Sequence, residues 1–87
     1  MQKERIIAGL KAKDRMTTEY FYEKYSRPLF AVICRIISDR EVAEEVFYTS
    51  FIKIMTDIES YEYSKNGPFY AWMAGICRRA SSGVIAK

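Results

Sequence analysis

The chain contains no histidine, two cysteines, two prolines and four glycines among its 87 residues. Without histidine the commonest metal ligand and general base is missing, and two cysteines cannot complete a disulfide framework or a zinc site. The sequence also has no glycine-rich phosphate loop and no nucleophile elbow. We therefore expect no catalytic residue, no metal site, no cofactor and no small-molecule substrate, which leaves a binding or structural role.

Long apolar runs are missing as well, since none approaches the roughly 18 residues that a membrane span needs. The N-terminal apolar patch is too short for a signal peptide. We interpret Cys34 and Cys77 as small buried residues of a reducing compartment. Together these features predict a cytoplasmic protein that makes no membrane contact.

The few helix breakers, with 49% apolar and 15% aromatic residues, predict an all-α domain with one core and exclude a β-sandwich. Apolar periodicity predicts about four helices, near residues 3–12, 18–37, 39–59 and from 68 onward. Thr17 or Thr18 is the expected cap of the second helix, and Ser38 with Glu41 forms the capping box of the third. Pro28 predicts a kink or break in the second helix, and residues 81–83 predict a frayed end.

The net charge of +3 conceals a segregation along the chain. Residues 1–38 hold eight basic and four acidic groups, and residues 39–62 hold two basic and seven acidic groups. Residues 63–87 hold four basic groups and no acid. An acidic middle followed by an acid-free basic end favours two different partners, although a single charge block is often only a solvated face.

The third helix has one face that the apolar core stripe leaves exposed. Tyr48 and Ile52 lie four residues apart on this face, beside acidic side chains. An apolar pair bordered by charge is typical of a protein docking site. The face consists of Glu41, Glu44, Glu45, Tyr48, Thr49, Ile52, Lys53 and Thr56.

The end of the chain interleaves aromatic rings with cations. Rings offer stacking faces to unpaired bases, and cations neutralise phosphates. Periodicity leaves open whether Phe69 and Trp72 belong to the core instead. The candidate nucleic-acid residues are Tyr61, Tyr63, Lys65, Phe69, Tyr70, Trp72, Arg78 and Arg79.

Three motifs occur in a recognisable order: FYEKYSRPLF at 21–30, DREVAEEV at 39–46 leading to FIKI at 51–54, and GPFYAWM at 67–73 followed by ICR at 76–78. Together they resemble the second conserved region of the extracytoplasmic-function sigma factors of bacterial RNA polymerase. The resemblance covers nearly the whole chain and implies a single helical domain over 1–87. Members of this family continue through a linker into a helix-turn-helix domain that reads the minus-thirty-five element, and no part of residues 1–87 matches that domain.

The resemblance also implies two partners and a function in transcription initiation. Residues 41, 44, 45, 48, 49, 52 and 53 would dock on the clamp helices of the largest subunit of core RNA polymerase. Residues 61–79 would open the promoter minus-ten element and hold its non-template strand, with a base extruded into a pocket near the loop. An anti-sigma factor is a further partner of such domains.

The chain departs from the family pattern at both surfaces. Tyr48 and Thr49 stand where the family commonly has glutamine and an acid, and Arg79 and Gly83 stand where it commonly has asparagine and an acid. An alternative function therefore stays open. In it, the chain is a diverged sigma-like module that binds polymerase or an anti-sigma partner without reading DNA.

Overall fold

The computed structural model describes residues 2–85 and forms five α-helices, with no strand within that range. Helix α1 spans Lys3–Lys11, α2 Arg15–Cys34 and α3 Arg40–Asp57. A 3-10 turn, Ile58–Ser60, follows α3, and the one-turn helix α4, Tyr63–Asn66, leads to α5, Phe69–Ile85. The all-α bundle predicted from the sequence is confirmed, with α4 as an addition inside the segment that was expected to be a loop.

Helices α2, α3 and α5 pack against one another and enclose the core, and α1 packs on α2. The apolar stripe predicted for α3 lies where expected, because Ala43, Val46, Phe47 and Ile54 are all buried. The centre of the core is aromatic, with the Phe21 ring 5.9 Å from Phe51 and 6.1 Å from Phe69. This three-helix core positions the outer face of α3 and the part of α5 from Phe69 to Ser81.

The predicted caps differ from the observed ones by three or four residues in α2 and by one residue in α3. Helix α2 begins at Arg15 because Asp14 caps it, and the Asp14 carboxylate accepts hydrogen bonds from the amide and the hydroxyl of Thr17. Helix α3 is capped by Asp39 rather than Ser38, with the Val42 amide donating to the Asp39 carboxylate at 3.2 Å. A carboxylate adds favourable charge at the positive end of the helix, so aspartate is at least as good a cap as the neighbouring hydroxyl residues.

Of the kink or break predicted near residues 25–27, the break does not occur, and residues 81–83 are helical rather than frayed. Helix α2 continues through Pro28 to Cys34, and Pro28 lies on the exposed side of α2, where water can satisfy the carbonyl left without a donor. Helix α5 continues through residues 81–83 because Ser81 is buried and its hydroxyl donates to the Cys77 carbonyl at 2.8 Å. Cys77 is buried as expected, whereas Cys34 is exposed.

Candidate docking and nucleic-acid surfaces

The outer face of α3 is exposed along its whole length. All eight residues that the sequence assigned to it are exposed, and Tyr48 and Ile52 expose 61% and 65% of their surface. They lie one turn apart, so they form a continuous apolar strip on the helix. We call residues 41, 44, 45, 48, 49, 52 and 53 the α3 face.

The charges of the α3 face are only partly neutralised. Glu44 pairs with Arg40 at 3.4 Å and Lys53 with Asp57 at 3.0 Å. Within residues 2–85, Glu41 and Glu45 form no ion pair, so two carboxylates beside the apolar strip are available to a basic partner. The Thr49 hydroxyl is less available to donate a hydrogen bond to a partner, because it donates to the Glu45 carbonyl at 3.0 Å.

Three of the predicted nucleic-acid residues lie in or against the core. Tyr61 and Phe69 are almost completely buried, with exposures of 4% and 1%, and Trp72 packs on Tyr61 with a ring distance of 4.8 Å. The Tyr61 hydroxyl donates to the Gly67 carbonyl at 2.6 Å. Burial raises the pKa of the Tyr61 phenol, and Tyr63 raises it further. These contacts hold the segment that leads into α5, and the buried rings of Tyr61 and Phe69 offer no stacking face, whereas Trp72 is half-buried.

The remaining predicted residues are exposed, at two separate positions. Tyr63 and Tyr70 expose 71% and 41% of their surface near the start of α5, and Lys65 pairs with Glu62 at 3.2 Å. At 1.5 Å per residue, Arg78 lies about 14 Å further along α5 than Phe69. The exposed rings and the two arginines therefore lie at different points along α5.

Arg78 and Arg79 gather over the backbone of Gly75. A Cβ atom at Gly75 would lie 3.2 Å from Arg79 Nη1 and 3.8 Å from Arg78 Nη2. Neither arginine forms an ion pair with any acid in the described part of the chain. Two unneutralised guanidinium groups on one point of a helix suit an anionic ligand such as a phosphate.

The sequence predictions missed a cleft between α1 and the segment before α4. Its volume is about 590 Å³, and Lys3, Lys11 and Tyr63 are among its lining residues. The Lys11 ammonium donates to the Tyr61 carbonyl at 2.8 Å, which ties this segment to α1. The apolar stripe of α1 indicated a packed helix, but no pattern in the sequence indicated which segment its lysines would face.

No group of three or more potential metal ligands occurs within residues 2–85. No helix in that range is long and apolar enough to cross a membrane. The described residues form a helical domain with an acidic, apolar helix face and a separate pair of arginines.

Comparison with known proteins identifies the family to which the chain belongs. Residues 21–82 match the Sigma-70 region 2 family, well over half of the chain, so the chain belongs to this family and the identification from the motifs is confirmed. A similar curated protein is the ECF RNA polymerase sigma factor SigM of Bacillus subtilis (strain 168), 25% identical over 72 residues. The aligned part is 83% of this chain and 42% of that protein, so the chain spans less than half of the relative's length. No solved structure matches the chain.

Proposed function

We propose that this sigma region 2 domain binds core RNA polymerase through the α3 face and holds the non-template strand of the promoter minus-ten element near α5. The observation that carries the polymerase contact is the exposed strip of Tyr48 and Ile52 beside the unpaired carboxylates of Glu41 and Glu45. A helix of the clamp with apolar and basic side chains is complementary to this strip.

The polymerase contact is tested by pull-down of Bacillus subtilis core polymerase with the double variant Glu45→Lys and Ile52→Asp. We expect binding to be lost, because the variant places a charge in the apolar strip and reverses a neighbouring charge. The matched control is Glu19→Lys with Met16→Asp, since Met16 is 78% exposed on α2 and Glu19 lies near it. Equal binding by parent and double variant would overturn the polymerase contact, provided that circular dichroism shows both to be folded.

The strand contact is supported by the cleft between α1 and Tyr63. The ring of Tyr63 is exposed and lines the cleft. Lys3 forms no ion pair within residues 2–85, and the cleft is large enough for a nucleotide base. An extruded base would stack on Tyr63 while Lys3 neutralises a phosphate. The family resemblance implies a base pocket near the loop, and we propose this cleft for that role.

The cleft is tested with Tyr63→Ala in the complex with core polymerase, using a labelled single-stranded oligonucleotide of about 12 nucleotides. Loss of one stacked base should weaken binding about fivefold to a hundredfold without changing its salt dependence. Met16→Ala is the control, because Met16 is a large side chain on α2 that is 78% exposed and lies outside both proposed surfaces. If Tyr63→Ala binds the oligonucleotide as tightly as the parent, base capture at this cleft is wrong.

The alternative, a sigma-like module that binds protein partners without reading DNA, is supported by one observation. The burial of Tyr61 and Phe69 removes two of the rings that the sequence assigned to strand binding. In this alternative, the parent domain bound to core polymerase would show no affinity for single-stranded oligonucleotide at any salt concentration. An anti-sigma factor would then be a partner for the α3 face.

A further inference from the structure

A groove between α2 and α3 adjoins the α3 face. Its floor is Phe47, only 6% exposed, with the rings of Tyr22 and Phe30 edge-on at 6.2 Å and 5.9 Å and the ring of Tyr48 at 5.8 Å. The groove has a volume of about 200 Å³. An apolar cavity of about 150 Å³ holds a benzene ring, so this groove suits one side chain of leucine or phenylalanine size.

The rim of the groove carries an uncompensated positive charge. Arg27 lines the groove from α2, is exposed, and forms no ion pair with any acid in the described chain. The one acid lining it, Glu44, is already paired with Arg40, whose guanidinium also lies 6.0 Å from the Phe30 ring. The rim therefore attracts an acidic side chain, in contrast to the unpaired Glu41 and Glu45 on the α3 face.

We propose that the groove is the anchor pocket of the docking surface and that the polymerase helix inserts one apolar side chain into it, with an acidic side chain beside Arg27. This inference rests on the proposed polymerase contact and extends it from α3 to α2. Tyr48 and Glu44 belong to both the groove and the α3 face, so the two surfaces are continuous. The partner helix thus has an apolar anchor, an acid about one turn away on the α2 side, and basic residues on the α3 side.

Two variants distinguish the contribution of the groove to polymerase binding from that of the α3 face. Ser26→Phe fills the groove from its α2 wall without changing any charge, and we expect it to weaken binding to a clamp-helix fragment at least about tenfold. Arg27→Glu replaces an exposed side chain, so it carries little risk to folding. It should weaken binding about fivefold to thirtyfold by opposing the partner's acid.

Controls and rescue make the test specific. Arg5→Glu makes the same charge change on an exposed residue of α1 and should leave binding unchanged. Replacing the acidic residues of the clamp-helix fragment one at a time by arginine should yield one variant that restores binding to Arg27→Glu and not to the parent.

The outcomes distinguish this inference from the function on which it rests. If Ser26→Phe and Arg27→Glu bind like the parent while Glu45→Lys with Ile52→Asp abolishes binding, the anchor groove is wrong and the α3 contact stands. If none of these variants affects binding, the polymerase contact itself is wrong. A dimer of the parent that Ser26→Phe abolishes would assign the groove to a second copy of the chain and overturn the proposal.

Discussion

At the scale of single residues, the glycines show how closely the backbone is packed. A Cβ atom on Gly9 of α1 would collide with the side chain of Thr17 on α2. Gly67 has open space around it but a φ of 81°, which side-chain-bearing residues rarely adopt. Gly83 lies inside α5 with no atom near its Cβ position. Replacing glycine by alanine should therefore destabilise the fold at Gly9 and Gly67 and stabilise it at Gly83.

We expect Gly9→Ala and Gly67→Ala each to lower the free energy of unfolding by about 1–3 kcal/mol, the first by overpacking and the second by backbone strain. Gly83→Ala should raise it by about 0.5–1 kcal/mol, because alanine is the better helix former and nothing opposes it. Urea denaturation of the three variants measures these differences. A stabilised Gly9→Ala variant would show that α1 does not approach α2 as closely as described.

The two cysteines should differ in reactivity. Cys34 is exposed at the end of α2, whereas Cys77 is buried and burial raises the pKa of its thiol, against smaller opposing effects of Ser50 and Arg78. A thiol with a raised pKa holds less of the reactive thiolate at neutral pH. Mass spectrometry after iodoacetamide treatment should find one modified cysteine in the native protein and two in denaturant, and Cys34→Ser should remove the native label. Native labelling of Cys77 would contradict its place in the core.

At the scale of elements, the cap of α2 should be sensitive to acid. Hydrogen bonds from Thr17 lower the pKa of the Asp14 carboxyl from its ordinary value of 3.8. Because the folded-state pKa is the lower one, the cap's charge stabilises the fold fully above pH about 4 and is lost as pH falls through the folded value. Asp14→Asn keeps an acceptor without the charge, so its melting temperature should approach that of the parent below pH about 4. A difference in melting temperature between Asp14→Asn and the parent that stays constant down to pH about 2 would contradict this explanation.

The long helices could be predicted from the sequence because their apolar residues recur at the helical period, and the α3 face follows as the remainder of that pattern. The caps could not be assigned, since Asp14 stands three residues before Thr17 and Asp39 directly after Ser38, and these hydroxyl residues have similar capping power. Tyr61 lies in a segment without periodicity, so its burial depends on contacts with Trp72 and Gly67 that only the tertiary structure supplies. The groove at Arg27 is likewise formed by two helices and has no signature in either one.

At the scale of the whole molecule, the charge blocks of the sequence become distinct surfaces. The α3 face carries carboxylates, and Arg78 and Arg79 are unpaired within residues 2–85. Where α1 meets α2, the basic side chains bind the Tyr61 carbonyl, Glu59 and Glu19, through Lys11, Lys13 and Arg15. If the proposed protein contact and the proposed phosphate contact use these two surfaces, separate substitutions should weaken them independently. Their salt dependence should differ, because only the phosphate contact releases condensed counterions.

The last prediction concerns that salt dependence. For single-stranded oligonucleotide bound by the domain on core polymerase, Arg78→Ala with Arg79→Ala should lower affinity and reduce the slope of log affinity against log salt by about one to two units, at about 0.7 per phosphate lost. Arg5→Ala with Arg35→Ala removes the same charge from exposed positions in α1 and at the end of α2 and should leave the slope unchanged. The measurement is fluorescence anisotropy over a salt series at constant polymerase occupancy, which separates strand binding from any change in docking. A slope that is equal for the parent and the Arg78 and Arg79 variant would exclude phosphate contacts at Gly75, and would favour the function without DNA.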